Sequence, residues 1–142
     1  MLTPLRVWYL RVRLSEPMNS ARVLIVEDDR DIREGLADLF REEGYSVAVA
    51  KNGAEGLAVA RANGADLVLL DLAMPVLDGA AFLARQRADR SIADIPVIVL
   101  TARQGVEIPG CEILPKPFEL EDLLDAASRC IGAGTVQPVA GI

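Results

Sequence analysis

Four short apolar runs in this chain each lead into a residue that can do chemistry. Val23-Leu24-Ile25-Val26 leads into Glu27-Asp28-Asp29, and Leu67 to Leu70 into Asp71. Val97 to Leu100 leads into Thr101, and Ile113-Leu114, past Pro115, into Lys116. Asp29 alone is explained as a helix cap or turn residue. The set is not explained that way, because chance rarely puts acids, a hydroxyl and an amine at the ends of successive apolar runs. The acids repel one another: two carboxylates about 4 Å apart cost on the order of 4 kcal/mol at an effective dielectric near 20. A countercharge is therefore implied. Lys116 supplies one, and a hard divalent ion on carboxylate oxygens, Mg²⁺ before Ca²⁺, is the natural second. Such a site suits phosphoryl transfer, which needs an in-line nucleophile and positive charge over the phosphoryl oxygens. Asp71 would be the nucleophile. Mg²⁺, Lys116 and the Thr101 hydroxyl would hold the phosphoryl group.

The elements that bring these residues together follow from pattern. Val23–Val26 is β-branched, continuous and brief, as a strand buried on both faces should be. Asp29 or Asp31 caps a helix whose apolar positions Ile32, Leu36, Leu39 and Phe40 recur at helical spacing, and Gly44 stops it. Val47 and Val49 mark a second strand, and Gly53 to Ala62 reads as a helix ended by Asn63-Gly64. After the third strand and a Pro-containing loop comes a helix from about Gly79 to Ala88, then the fourth strand, a short fifth, and a last helix from Leu120 to Ile131. Strands alternating with helices predict an α/β fold, a doubly wound parallel sheet of five strands. Ligands of such sheets bind at the carboxyl ends of the strands, where the chemistry-bearing residues lie.

Composition narrows the function. The chain has 142 residues, one domain's worth, with a formal charge of −6 and its basic residues scattered among acids. No clustered basic face is legible, so nucleic acid is not expected as a partner. The absence of histidine rules out His-based catalysis and any phosphohistidine within this chain. Cys111 and Cys130 lack metal-site spacing and read as reduced, partly buried thiols of a cytoplasmic protein. No apolar stretch approaches the roughly 18 residues needed to cross a bilayer, and no membrane contact is expected. Residues 1–20 read as an N-terminal arm. Arginines interrupt its apolar residues, unlike a secretory signal. Met18 offers a second start, so residues 1–17 are expected to be a loose arm or an overlong start. Trp8 and Tyr9 fall within it.

The segments Val23–Asp29 (VLIVEDD), Asp71–Gly79 (DLAMPVLDG), Leu100-Thr101-Ala102 and Lys116-Pro117-Phe118 together resemble the receiver domains of bacterial two-component response regulators. The likeness covers about Arg22 to Ile131, giving a receiver domain over 21–131 and a flexible tail over 132–142. It implies a flavodoxin-like sheet of order 2-1-3-4-5, with Asp71 as phosphoacceptor. Asp28 matches the acid that touches Mg²⁺ directly, Glu27 the one that acts through water, and the backbone carbonyl of Ala73 a further ligand. Thr101 matches the hydroxyl that moves onto the phosphoryl group, and Lys116 its ion-pairing lysine. The Lys116-Pro117 bond would be cis. The family's donor is a phosphohistidine on a sensor histidine kinase or phosphotransfer protein. The expected role is thus a signalling domain that gains and loses a phosphoryl group, not a turnover enzyme.

Two departures stand out against the family. The helix between the fourth and fifth strands, its fourth, has no room between Ala102 and Pro115, where two glycines and a proline interrupt any helical spacing. It is expected to be missing or reduced to a turn, a deletion of about two helical turns. The aromatic switch residue three positions before the lysine is replaced by Ile113. Dimerisation through that face becomes doubtful, and a monomer is expected. Ala73 and Arg103 flank the approach of an attacking water, and slow loss of the phosphoryl group is expected.

With about ten residues after Gly132, the chain is expected to stand alone as a relay, phosphate sink or interaction switch acting on an unknown downstream protein. The alternative is a receiver-shaped interaction module that works without phosphorylation, which the missing helix favours and the complete charge set opposes. A haloacid-dehalogenase-like phosphatase would need a second Asp two residues after the nucleophile, and Ala73 stands there. Met74 and Pro75 are expected to shape the loop after Asp71, Gly79 to allow close packing at a helix start, and Phe118 to pack under the last helix.

Overall fold

In the computed structural model, which describes residues 21–74 and 78–136, nine elements follow one another in the expected alternation. Strand β1 is Arg22–Val26, helix α1 Arg30–Glu42, β2 Ser46–Ala50, α2 Gly53–Asn63 and β3 Leu67–Asp71. Helix α3 is Gly79–Arg87, β4 Val97–Thr101, β5 Glu112–Pro115 and α4 Leu120–Val136. The strands form one parallel five-stranded sheet of order β2-β1-β3-β4-β5.

Why the strands read as unbroken apolar runs is visible in the two cores. Alternate residues point to opposite faces. Leu24, Val26, Val68, Leu70, Val97 and Val99 meet Leu57 and Ala60 of α2 and Phe82 and Leu83 of α3 on one face. Val23, Ile25, Leu67, Leu69, Ile98 and Leu100 meet Leu36 and Phe40 of α1 and Leu123, Ala126 and Ala127 of α4 on the other. No helix among the described residues is long and apolar enough to cross a membrane.

Strand register sets the site. Val26 pairs with Leu70, Asp71 with Leu100, and Thr101 with Pro115. The residues that follow or close these strands, Glu27, Asp71, Thr101 and Lys116, therefore lie along one edge of the sheet. Between β4 and β5 no helix intervenes: Ala102–Cys111 runs as bends and a turn, with Gly105 and Gly110 at φ of 74° and 83°. Ile108 and Cys111 lay this crossover against the first core, and Ile113 packs there too. The fourth helix in chain order is present, but it follows β5.

Several details differ from expectation. Ile32 is 43% exposed, because it sits in the first turn of α1, beyond the sheet that covers Leu36 and Phe40. Helix α4 runs to Val136, five residues past Ile131, since Gly132 costs a helix only about 1 kcal/mol and does not break it. Met74, in the loop after Asp71, is buried with Phe82, Leu83 and Ile92 in the first core. The expectations for the N-terminal arm, for Pro75 and for the last six positions lie outside the described residues. Cys111 and Cys130 are free and half-buried, and the Lys116-Pro117 bond is cis.

Candidate functional site

The β1–α1 turn carries the acids. Glu27 continues β1, its N–H donating to the Ala50 carbonyl at 3.0 Å, and its side chain is 2% exposed. Its Oε2 accepts from the Asp29 N–H at 3.1 Å. Asp29 in turn caps α1, its Oδ1 accepting from the Ile32 N–H at 3.0 Å, which settles the choice between Asp29 and Asp31. Asp28, between them, is exposed. From the second turn of α1, Arg33 Nη1 donates to the Glu27 carbonyl at 2.9 Å and reaches the Asp28 carbonyl at 3.3 Å.

Asp71 closes β3 and is buried. Its Oδ1 accepts from the Ala73 N–H at 3.2 Å, which turns the chain immediately after the strand. Gly79 holds this turn against α3: a Cβ there would lie 2.7 Å from Leu72 Cα and 3.0 Å from the Asp71 carbonyl oxygen, both backbone. Thr101 is buried at the end of β4, its Oγ1 accepting from the Arg103 N–H at 3.0 Å. Its carbonyl accepts from the Lys116 N–H at 2.7 Å, which fixes the lysine beside it. The Lys116 ammonium lies 3.6 Å from Asp71 Oδ1 and 3.9 Å from Glu27 Oε1.

The electrostatics are unbalanced. Ligand atoms of Glu27, Asp28 and Asp71 all lie within 4.8 Å of one another. One ammonium faces this cluster across ion-pair rather than hydrogen-bond distances. Glu27 Oε1 is buried with no hydrogen-bond partner, a cost of about 1–3 kcal/mol or more for a charged group. Burial pushes the Glu27 carboxyl up from its ordinary 4.5 to about 7; the Asp29 N–H opposes that shift, Asp71 adds to it, and Lys116 partly offsets it. A hard cation fits these residues. Three carboxylates offer oxygen ligands, and the orphaned oxygen is one of them.

Every side chain expected at the site is thus brought to one edge, and Ala73 sits in the turn tied to Asp71. What the sequence reading missed is Arg33, which there is one more arginine on a polar helix, no different from Arg30. Arg30 pairs with Glu34 at 3.2 Å on the surface instead.

Comparison with known proteins agrees. Residues 23–128 match the response regulator receiver domain family. The response regulator MprA of Mycobacterium sp. (strain KMS) is 41% identical over 110 residues, which cover 72% of this chain and 47% of MprA. The chain spans about half the length of the curated relatives it matches. Among solved structures, the chemotaxis response regulator CheY4 of Vibrio cholerae superposes with a TM-score of 0.73 at 31% identity, covering 79% of this chain and 99% of CheY4. The receiver domain of the sensor histidine kinase PA1611 of Pseudomonas aeruginosa PAO1, solved with a magnesium ion coordinated in its active site cleft, gives 0.72 at 29%, covering 80% of this chain and 98% of that one. With its sheet order, its strand-end carboxylates and these matches in agreement, the chain belongs to the response regulator receiver domain family of two-component signalling.

Proposed function

We propose that this receiver domain accepts a phosphoryl group on Asp71 from a phosphohistidine of a sensor kinase or phosphotransfer protein, with Mg²⁺ held by Glu27, Asp28, Asp71 and the Ala73 carbonyl. The observation that carries the reading is the buried oxygen of Glu27 that no hydrogen bond satisfies, among three converging carboxylates. A phosphorylation-free module would have no use for that cost.

The residues divide the work. The Ala73 N–H and Lys116 both fall on Oδ1 of Asp71, and Oδ2 is the oxygen that attacks phosphorus in line. The new bond is Oδ2–P, and the bond that breaks joins phosphorus to the histidine nitrogen, which leaves with its electron pair and takes up a proton. Lys116 offsets the charge that gathers on the phosphoryl oxygens. The Thr101 oxygen already accepts from Arg103, so its O–H remains to donate to one of them. When bound, Mg²⁺ supplies further positive charge over the same oxygens. The product is a signalling state in the cytoplasm, not a turnover product.

Intact mass after incubation with Mg²⁺ and acetyl phosphate tests this. A gain of one phosphate, about 80 Da, absent in Asp71→Asn and without Mg²⁺, is the expected result. No gain in folded protein would turn the reading to the second one, an interaction module independent of phosphorylation, which the helix-free β4–β5 crossover favours.

A further inference from the structure

Arg33 is the least explained cation near the site. It is half-buried on α1, and no carboxylate among the described residues lies within ion-pair distance of it. A helix arginine beside an acidic turn would ordinarily reach a carboxylate, as Arg30 does with Glu34. Arg33 instead gives one nitrogen to two successive backbone carbonyls, those of Glu27 and Asp28. Those are the peptide units that carry the two ligands contributed by the β1–α1 turn. We infer that Arg33 is a positioning residue for the cation site: it clamps the Glu27–Asp28 backbone so that both carboxylates converge with Asp71. The inference rests on the Mg²⁺ reading given above.

Three ties that involve side chains hold the turn. Asp29 N–H holds Glu27 Oε2, Asp29 Oδ1 caps the helix, and Arg33 holds the two carbonyls. The first two fix Asp29 and one oxygen of Glu27. Among these three, only Arg33 reaches Asp28, whose exposed side chain would otherwise swing with its peptide. A planar guanidinium with several donors can bridge two carbonyls, whereas an ammonium reaches them as a point charge.

The sign of the effect separates this role from simple charge balance. Removing a positive charge near a cation site should tighten cation binding by Coulomb's law. Removing a clamp should weaken it, and the loss of supporting contacts around metal ligands typically costs 10–100-fold in affinity. The test is calorimetric titration with MgCl₂ of the wild type, Arg33→Gln and Arg33→Lys at one ionic strength. Thermal melts without Mg²⁺ establish that each variant is folded at the titration temperature. The expected result is a Kd raised about fivefold or more in both variants, with lysine failing to rescue. Tighter or unchanged binding in Arg33→Gln overturns the inference, as does full rescue by lysine, which would make charge the agent. If Arg33→Gln does not fold, Arg33→Lys decides alone, weaker binding supporting the clamp and wild-type binding overturning it. Failure of the wild type to bind Mg²⁺ at millimolar concentrations would instead overturn the cation site itself.

Discussion

At Glu27 one carboxylate oxygen is held by the Asp29 N–H, and the other has no hydrogen bond, only the Lys116 ammonium at 3.9 Å. Because burial raises this carboxyl from 4.5 to about 7, the folded protein binds a proton that the unfolded chain releases near 4.5. Stability from this group is therefore full below about 4.5 and falls as the pH rises towards 7. A cation needs the deprotonated form, so affinity runs the other way. Titration with Mg²⁺ between pH 5.5 and 8.5 is expected to show tightening through about 7. Glu27→Gln should flatten that slope and stabilise the metal-free protein in urea at pH 8, where the wild type must bury a charge. An unchanged slope in that variant would assign the titration to another group. The acids, the threonine and the lysine were legible because they end apolar runs. Arg33 was not, since nothing in a helix's polar spacing says which arginine turns back to a strand end. Gln86 was likewise illegible: it is buried, and its amide donates to the Ile92 and Ile95 carbonyls at 2.9 Å, tying down the loop before β4.

Among the elements, the strands were the most readable, because burial on both faces leaves them no polar positions to confuse the pattern. Helix ends were less so. The close of α4 depends on five further residues of weak preference, and Ile32 shows helical spacing without reaching the sheet. Gly79 did announce itself as a packing position, and its cost can be measured. Gly79→Ala must push a methyl into the Leu72 and Asp71 backbone and is expected to lose about 1–3 kcal/mol in urea unfolding. Its Asp71 turn should shift with it, slowing phosphorylation more than the stability change requires. The helix-free crossover has its own anchor: Arg87 of α3 donates to the Pro109 carbonyl and approaches Cys111 Sγ at 3.4 Å. Arg87→Ala is expected to cost about 1 kcal/mol and to speed hydrogen exchange of the Cys111 amide, which donates to the Ile108 carbonyl at 3.1 Å. Equal rates in the two proteins would show that the crossover stays closed without this arginine.

Across the whole molecule, the strand-end acids set the response to cations. Binding that occurs only in the folded state stabilises it, by about 1.4 kcal/mol at ten times Kd. Mg²⁺ should therefore raise the melting temperature of the wild type and leave that of Asp28→Asn nearly unmoved, a contrast that a general salt effect would erase. The crossover from β4 to β5 carries a different consequence, one of timing. About ten residues span it, where parallel connections usually take a dozen or more and a helix. Halving a loop lowers its closure cost by about 0.6 kcal/mol, so the carboxyl-terminal half of the sheet can find its pairing sooner than the amino-terminal half. Val99, paired with Ile113 and fully buried, would then sit in the folding nucleus. Val99→Ala is expected to slow refolding, whereas Leu36→Ala in α1 should mainly hasten unfolding. A chain that dispenses with one helix would thereby assemble from its β4–β5 end backwards, closing Thr101 onto Lys116 before β2 is laid at the far edge.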